Sequence, residues 1–329
     1  MPKVNLSDIA EKLGVSTATV SRALRNKPGV NPQLREAIFK MAQSLNYPFT
    51  LQENSSALQK VGVVVPDLSN PFFATVCYGI DSVLRPSGFL SVLVNTDEDR
   101  ELESEYVNFL IEDGVKGLIA APSAGSREVY AEWAERMPLV FFDRCYDIPG
   151  SQCVLVDNKD IIFQVVRFLV EQGHREICLV GGDEEIYTGR MRTEGFLEAV
   201  KLLNLDPQSC RVVPGQFKEP ESYAATKQVL ESERCTAVIA TSNKTTLGAL
   251  RAIRELGLRI PEEVSLVGFD EQEWMAIYEP AITTAVQPAF SMGTLAASLL
   301  LQSFNSSGAR EKVVLKAEMV HRQSVASIG

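Results

Sequence analysis

The stretch LSDIAEKLGVSTATVSRAL, residues 6–24, decides the fold of the amino-terminal region. Apolar residues recur at helical spacing up to Leu13, and Gly14 follows where a left-handed residue would end a helix. Ser7 is the expected N-cap of this helix, and Ser16 is the expected N-cap of a second one. Two short helices joined by a turn that contains glycine predict a helix-turn-helix, whose second helix lies in the major groove of DNA.

The second helix carries side chains suited to reading and holding DNA. Arg22 can form two parallel hydrogen bonds to guanine, and the methyl groups of Thr17 and Ala18 can contact thymine. Hydroxyl groups and the helix N-terminus can donate to phosphate oxygens. The predicted DNA contacts on and beside this helix are Ser16, Thr17, Ala18, Thr19, Ser21 and Arg22. A third helix is expected from about Pro32 to Ser44, with its apolar face closing a three-helix core.

The charge of the chain is divided unevenly. The 329 residues carry a formal net charge of -10, yet residues 1–60 hold eight basic and four acidic side chains, a net of +4 that leaves -14 for the remainder. A basic head on an acidic body favours a nucleic-acid module joined to another domain, over a small helical cap with an ordinary polar face. With 45% hydrophobic and 22% charged residues, the composition excludes a disordered or fibrous chain.

After residue 60, short β-branched runs alternate with helical stretches, which predicts parallel β-α-β units. Nine strands are expected, from Val61–Val65 to Val264–Val267, and two consecutive sets of them meet near residues 157–160. The predicted fold class is therefore α/β: a three-helix helix-turn-helix head followed by two doubly wound parallel-sheet lobes, similar to a periplasmic binding protein. A small ligand would bind in the cleft between the lobes.

Several other kinds of chemistry lack the residues they need. The six cysteines show no Cys-x-x-Cys spacing, which favours small buried side chains in a reducing compartment over disulfides or a metal site. Only two histidines are present, and His174 is expected at a helix end. No phosphate-binding loop or Gly-x-Gly-x-x-Gly occurs, so we expect no enzyme, cofactor or metal. Without a signal peptide or an apolar run of roughly 20 residues, the chain is expected to be soluble and cytoplasmic, with no membrane partner.

Further motifs follow one another along almost the full length of the chain. They are DIA at 8–10, GVS at 14–16, TVSR at 19–22, LNY at 45–47, VVPD at 64–67, NPFF at 70–73, GVKGLI at 114–119, FDR at 142–144, GHR at 173–175, GF at 195–196, VGFD at 267–270 and TTAVQP at 283–288. With these motifs the sequence resembles the lactose-repressor/galactose-repressor (LacI/GalR) family of bacterial transcription regulators.

The resemblance implies a homodimer, with a tetramer as the alternative, that binds a near-palindromic operator and changes its affinity when a small metabolite closes the cleft. It implies a DNA-binding domain at 1–48, a hinge at 49–60, and an effector-binding and dimerisation domain at 61–329. Within the last, the N-lobe would comprise 61–157 plus about 289–317, and the C-lobe 158–288 plus about 318–329.

The resemblance also implies a set of effector-contacting positions. These are Asn70, Phe72, Phe73, Asp143, Arg192, Asp270 and Gln287. Carboxylates and a guanidinium suit sugar hydroxyls, and an aromatic ring can stack on the apolar face of a sugar. The alternatives are core packing for Phe72 or Phe73 and a strand-end turn for Asp270.

The sequence departs from the family pattern in two places. Where the family usually has Asn followed by Asp, this chain has Ser242-Asn243-Lys244, so Ser242 or Asn243 would reach the ligand, and the reversed charge leaves the ligand class open. The linker holds an acidic residue and two serines where a hinge helix usually has small or apolar residues. Leu51 or Leu58 would be the wedge that enters the minor groove.

The sequence thus predicts a DNA-binding transcriptional regulator, a repressor rather than an activator, controlled by a sugar or a sugar-derived acid or phosphate. Arg190, Arg192 and Lys244 favour an anionic ligand, although one arginine would serve a neutral sugar equally well. One alternative is a sugar-binding protein of the periplasmic type, which would carry an export signal and lack the basic head. The other is a sugar-acting enzyme with a DNA module, which would need a catalytic set that the sequence does not display.

Overall fold

The structure is a computed structural model that describes residues 5–24, 29–45, 47, 59–232, 235–304 and 311–328. The chain divides into two compact units, residues 1–59 and residues 60–329. The predicted hinge leucines, Leu51 and Leu58, lie outside the described residues.

The smaller unit is a three-helix domain, with α1 (Leu6–Leu13), α2 (Thr17–Leu24) and α3 (Pro32–Ser44). As predicted, α1 ends at Gly14, whose φ of 62° is left-handed. The Ser16 hydroxyl accepts the backbone N–H of Thr19 at 3.0 Å and thereby caps α2. The apolar faces of the three helices meet in a core that includes Ile9, Val20, Ala23 and Ile38, all fully buried.

The prediction that Ser7 caps α1 is wrong, because the cap is Asn5. The Asn5 carboxamide oxygen accepts the N–H groups of Ser7 and Asp8, and the Asp8 carboxylate accepts the Asn5 N–H at 2.8 Å. This reciprocal pair starts the helix two residues earlier than a cap at Ser7 would.

The larger unit contains two six-stranded sheets. The chain first passes through β1 (Gln59–Val65), α4 (Pro71–Leu84), β2 (Phe89–Asn95), α5 (Arg100–Glu112), β3 (Leu118–Ala120), α6 (Arg127–Ala131), β4 (Leu139–Phe142) and β5 (Ser151–Val156). It continues through α7 (Asn158–Glu171), β6 (Ile177–Gly181), α8 (Tyr187–Leu202), β7 (Arg211–Pro214), α9 (Glu219–Ser232), β8 (Ala237–Ala240), α10 (Asn243–Glu255), β9 (Ser265–Phe269), α11 (Glu273–Ile277) and β10 (Thr283–Val286). It ends with α12 (Ala289–Ser303), β11 (Lys312–Leu315) and β12 (Glu318–Val320).

The strand order is β11-β5-β4-β3-β1-β2 in the first sheet and β12-β10-β9-β8-β6-β7 in the second. All nine predicted strands are present, and the ladders from β1 through β3, β4 and β5 to β11 are parallel. At the edge of the second sheet, β12 runs antiparallel to β10. Three further strands, β10, β11 and β12, were not predicted from the sequence.

The chain passes between the two lobes three times, after β5, after β10 and after β11. Two of these crossings are adjacent, because the N–H of Asp157 donates to the carbonyl of Leu315 at 3.0 Å. The second crossing returns the chain to α12, which packs closely on α4. A Cβ added at Gly293 would lie 2.1 Å from the carbonyl oxygen of Val76, so this helix contact requires glycine.

His174 lies between α7 and β6, as predicted, and its ring is held within the second lobe. Its Nε2 lies 3.1 Å from the carbonyl oxygen of Ala326, and its Nδ1 lies 3.0 Å from the hydroxyl of Thr236. Burial lowers the pKa of His174, which is consistent with a neutral ring in a structural role. No helix in the described part of the chain is long and apolar enough to cross a membrane.

Candidate functional site

A cavity of about 120 Å³ lies between the two lobes, where loops follow the carboxyl ends of the strands. All eight effector-contacting residues named from the sequence line it. They are Asn70, Phe72, Phe73 and Asp143 from the first lobe, and Arg192, Ser242, Asp270 and Gln287 from the second. Residues far apart in the chain therefore meet in one concave site, as small-molecule recognition requires.

In the first lobe, Arg144 joins two carboxylates. Its two terminal nitrogens each lie 2.8 Å from an oxygen of Glu98, and its Nε lies 3.3 Å from Asp143 Oδ2. Burial opposes the charge of Arg144, but Glu98 and Asp143 raise its pKa above the ordinary value. Burial likewise raises the pKa of Asp143, and the two arginines nearby offset only part of that effect. The guanidinium of Arg144 thus interacts with carboxylates of the protein itself.

In the second lobe, Asp270 accepts a hydrogen bond from Gln287 Nε2 at 2.7 Å. Gln287 belongs to the segment that connects the lobes after β10, and its Oε1 has no partner among the described residues. Burial raises the pKa of Asp270 to about 6, because Arg192 and Gln287 compensate incompletely for the loss of water. The pair therefore offers a carboxylate and an unused amide oxygen as acceptors for ligand hydroxyls.

Arg192, on α8, is 3% exposed. Its Nε donates to Asn158 Oδ1 at 2.7 Å, one of its terminal nitrogens donates to the carbonyl of Thr241, and its guanidinium carbon lies 4.1 Å from the Phe269 ring centre. Burial lowers the pKa of Arg192, while Asp270 and Asp143 act in the opposite direction. Because Asn158 is the first residue of α7, directly after the first crossing, Arg192 connects the cavity to a segment between the lobes.

Two aromatic side chains of α4 form the apolar wall of the cavity. The Phe72 and Phe73 rings meet edge to face with centres 5.2 Å apart, and Phe73 also packs on Phe142 at 6.3 Å. Both belong to the core of the lobe and both line the cavity. Core packing and ligand contact are therefore not exclusive alternatives here.

Two of the predicted polar residues also serve as helix caps. The Ser242 hydroxyl accepts the N–H of Thr245 at 3.1 Å at the start of α10, and the Asn70 carboxamide oxygen accepts the N–H of Phe72 at 3.0 Å at the start of α4. Asn243, the other candidate at this position, donates from Nδ2 to Asn70 Oδ1 at 2.8 Å. Capping fixes where these side chains can present polar atoms to a ligand.

Nine further residues that line the cavity were not predicted from the sequence. They are Asp67, Glu98, Arg144, Asp183, Ile186, Thr188, Gln216, Phe217 and Lys218. Most of them come just after a strand, so the rule that ligands bind at the carboxyl ends of parallel strands would have found Glu98 after β2 and Phe217 after β7. Arg190, which had favoured an anionic ligand, is exposed, does not line the cavity and donates to the carbonyl of Glu184 at 3.4 Å.

The predicted DNA contacts lie on and beside α2. Ser16, Thr17, Ala18 and Arg22 are exposed, while Thr19 and Ser21 are half-buried. The apolar face of α2, with Val20, Ala23 and Leu24, is buried in the three-helix core. Hence α2 presents one polar face with a cation near its end, the chemistry expected of a recognition helix.

Comparisons with known proteins agree with this geometry in both units. The model of the bacterial regulatory proteins of the lacI family matches residues 5–48, and that of the periplasmic binding protein-like domain matches residues 166–325. The HTH-type transcriptional regulator MalR of Streptomyces coelicolor is 32% identical over 334 residues, which cover 98% of this chain and 96% of that protein.

Two solved structures are similar over most of their length. A LacI family transcriptional regulator from Enterococcus faecium with bound ribose is 30% identical and has a TM-score of 0.76, covering 82% of this chain and 100% of that one. The lac repressor dimer bound to operator is 26% identical and has a TM-score of 0.77, covering 99% of this chain and 100% of that one.

Proposed function

The chain belongs to the lacI family of bacterial regulatory proteins and is a DNA-binding transcriptional regulator, and we propose that it is a repressor whose affinity for its operator is controlled by a neutral sugar bound between the lobes. The observation that carries this proposal is one cavity lined by two buried aspartates, a buried guanidinium and two phenylalanine rings. Carboxylates accept hydrogen bonds from vicinal hydroxyls, guanidinium groups donate to them, and an aromatic ring covers the apolar face of a sugar.

The charges that surround the cavity favour a neutral sugar over a sugar acid or phosphate. Five acidic and three basic side chains line it. Arg144 is paired with Glu98, and Arg192 already donates from two of its three nitrogens to Asn158 and Thr241, so one terminal nitrogen of Arg192 remains to donate to a ligand hydroxyl. Lys244 does not line the cavity, and it is paired with Asp67 at 2.6 Å. Because the acidic side chains of the cavity outnumber the basic ones, an anionic ligand would meet a net negative charge and be repelled by it.

Contacts on the segments between the lobes provide a route from the cavity to the rest of the protein. The two lobes proposed from the sequence are supported by the membership of β11 in the first sheet and β12 in the second. Arg192 holds Asn158 at the first crossing, and Asp270 holds Gln287 at the second. A ligand that binds these groups in one lobe arrangement more tightly than in another shifts the equilibrium between arrangements.

We propose a homodimer as the species that binds a near-palindromic operator, and a tetramer is the alternative. Exposed apolar side chains on the larger unit support an interface. Tyr78 on α4 is 67% exposed, and its ring centre lies 5.7 Å from that of Phe290 on α12. Ile277 on α11 is 81% exposed. The lac repressor, whose fold this chain shares, is a dimer on its operator.

The effector is tested by a thermal-shift screen of the purified full-length chain. We expect a neutral sugar to raise the melting temperature in proportion to the logarithm of its concentration, as ligand linkage requires. Screening D-ribose and D-glucose against ribose 5-phosphate, glucose 6-phosphate and glucuronate separates the ligand classes. Stabilisation by the anions alone would contradict the neutral-sugar proposal. Recovery of an unchanged sugar after incubation tests the further proposal that the chain is not an enzyme.

The DNA-binding face is tested by Arg22→Ala. If Arg22 pairs with guanine, the variant should lose about 1–3 kcal/mol of operator affinity and discriminate less at one base pair. Genomic fragments selected on the wild-type protein supply the operator, and gel-shift titrations measure its affinity. Lys40→Ala is the matched control, because Lys40 pairs with Glu36 on α3, away from the predicted contacts. Equal operator affinity of wild type and Arg22→Ala would overturn the assignment.

The same assay on Leu51→Ala and Leu58→Ala tests which leucine is the proposed wedge.

A further inference from the structure

Lys244, near the start of α10 in the second lobe, reaches across the cleft to the loop between β1 and α4 in the first lobe. Its Nζ donates to Asp67 Oδ2 at 2.6 Å and to the Ser69 hydroxyl at 2.7 Å. Beside it, Asn243 Nδ2 donates to Asn70 Oδ1 at 2.8 Å. Three hydrogen bonds thus link the N-terminus of one helix to a short loop in the opposite lobe.

The loop of the first lobe is shaped to receive the ammonium group. Asp67 Oδ1 accepts both the N–H of Ser69, at 2.9 Å, and its hydroxyl, at 2.6 Å, which leaves Oδ2 and a hydroxyl lone pair directed at Lys244. Burial works to raise the pKa of Asp67, but hydrogen bonds from Lys244 and Ser69 lower it below the ordinary value. The acceptor is therefore ionised and held in one geometry, which reduces the entropy lost when the contact forms.

The position of Lys244 is unfavourable for its own helix. It is the second residue of α10, whose first turn contains no acidic residue, and the partial positive charge of a helix N-terminus repels a cation. The interaction with Asp67 offsets this cost. The lysine and aspartate side chains are only 27% and 26% exposed, so water screens their attraction less than it screens an ordinary surface pair.

We propose that Asp67, Ser69, Asn70, Asn243 and Lys244 form an interlobe latch that favours the closed cleft even when no effector is bound, and that Lys244 is its positioning residue for effector binding. Asp67 and Asn70 line the effector cavity, whereas Lys244 and Asn243 line an outer cavity of about 680 Å³ beside it. The latch therefore holds two wall residues of the first lobe over the ligand without itself requiring a ligand contact from Lys244. An aspartate at position 244 would instead face Asp67 and repel it.

The consequence for signalling rests on the proposed function. A latch that raises the closed fraction of the free protein also raises the apparent affinity for an effector that binds the closed form. Because the latch gives the free protein more of the closed form, it also brings the operator affinity of the free protein nearer to that of the effector-bound protein. Weakening the latch should therefore weaken effector binding and widen the difference between the two operator affinities, whichever state binds DNA.

The experiment measures the distance between the lobes in the full chain with no sugar added. Spin labels are attached through a ketone-bearing amino acid at Glu101 and Glu231, both exposed, so that the native cysteines are untouched. Pulsed electron spin resonance then gives the populations of closed and open lobes for Lys244→Met, Lys244→Asp and Lys244→Arg. Lys227→Met is the matched control, because Lys227 pairs with Glu255 at 2.6 Å within the second lobe.

Lys244→Met should raise the ratio of open to closed lobes about three- to tenfold, the range expected for a half-shielded charged hydrogen bond. Lys244→Asp should raise it further, and Lys244→Arg should restore most of the closed population. A distance distribution for Lys244→Met equal to that of the wild type and of Lys227→Met would overturn the latch, even if Lys244→Asp failed to fold. Because no sugar is used, a failed sugar screen would leave this result intact, and a failed latch would leave the sugar proposal intact.

Discussion

Asp143 in the first lobe and Asp270 in the second have equivalent backbone geometry in the two halves of the cavity, but their side chains have different partners. Each follows a strand, β4 or β9, and each has a left-handed φ, 59° for Asp143 and 60° for Asp270. Their N–H groups donate to the neighbouring strand at nearly equal distances, 3.0 Å to Val154 and 2.9 Å to Ala285. The repeated fold thus presents one carboxylate from each lobe to the same cavity.

The partners of the two carboxylates differ. The nearest cation to Asp143 is Arg144, the next residue, which also pairs with Glu98 in the same lobe, and Arg192 of the second lobe adds to its effect. Asp270 is balanced by Arg192 and by Gln287, and these two side chains involve the segments that connect the lobes. The first half of the site is therefore a local charge cluster, whereas the second half is joined to the parts of the chain that must move when the lobes rearrange.

The largest effect should come from breaking the local cluster. Arg144→Met would leave Asp143 and Glu98 without their shared guanidinium, and we expect the free energy of unfolding to fall by about 3–5 kcal/mol. Urea denaturation measures the change. Arg100→Met, which removes an exposed ion pair with Glu128, should change it by less than about 1 kcal/mol. Equal losses in the two variants would show that the cluster is not a buried network in solution.

Breaking the second half should affect signalling more than folding. Arg192→Ala should lower the affinity for the neutral sugar found in the screen by about 100-fold, since loss of a buried charged hydrogen-bond partner costs roughly 2–5 kcal/mol of binding free energy. It should also remove the response of operator binding to that sugar. Isothermal titration and gel shifts measure the two effects. Arg190→Ala on the same helix is the control, and a similar loss in both variants would contradict the role given to Arg192.

The smallest effect concerns pH and distinguishes the two aspartates directly. Folding raises the pKa of Asp270 from 3.8 to about 6, so the folded chain holds this proton more tightly than the unfolded chain. The stability that this group contributes is present below about pH 4 and is lost as the pH rises to about 6. Sugar affinity should change in the opposite direction, rising up to about tenfold between pH 5 and 7, because the ionised carboxylate is the stronger acceptor.

Asp270→Asn should remove the step in sugar affinity near pH 6, and calorimetric titrations at several pH values test this. Burial also raises the pKa of Asp143, so any pH dependence that remains in Asp270→Asn is assigned to Asp143 and should disappear in the double variant with Asp143→Asn. If the step in sugar affinity near pH 6 were unchanged in Asp270→Asn, its assignment to the Asp270 carboxyl would be wrong.

Sequence patterns predicted nine of the twelve strands in the described part of the chain and the three helices of the head, and the family resemblance supplied all eight residues named for the cavity. They missed Glu98 and Phe217, which approach the cavity from loops with no motif of their own. They also placed the first N-cap at Ser7 instead of Asn5, because Asn5, Ser7 and Asp8 are all residue types that cap helices and lie within four positions of one another. From the sequence, Lys244 had favoured an anionic ligand. In the structure it pairs across the cleft with Asp67, a residue 177 positions away in the chain, and motifs cannot predict such a pair.

The amino-acid sequence by itself predicted most of the segments that form helices and strands, because periodicity and capping are local properties of neighbouring residues. It also predicted which face of α2 would contact DNA, since this one short helix contains both the buried residues of the core and the exposed polar residues. Only the tertiary structure decided which charges are neutralised, because pairs such as Arg144 with Glu98 and Lys244 with Asp67 join residues distant in sequence. The proposed ligand class depends on that charge balance, which is set only when the two lobes are folded against each other.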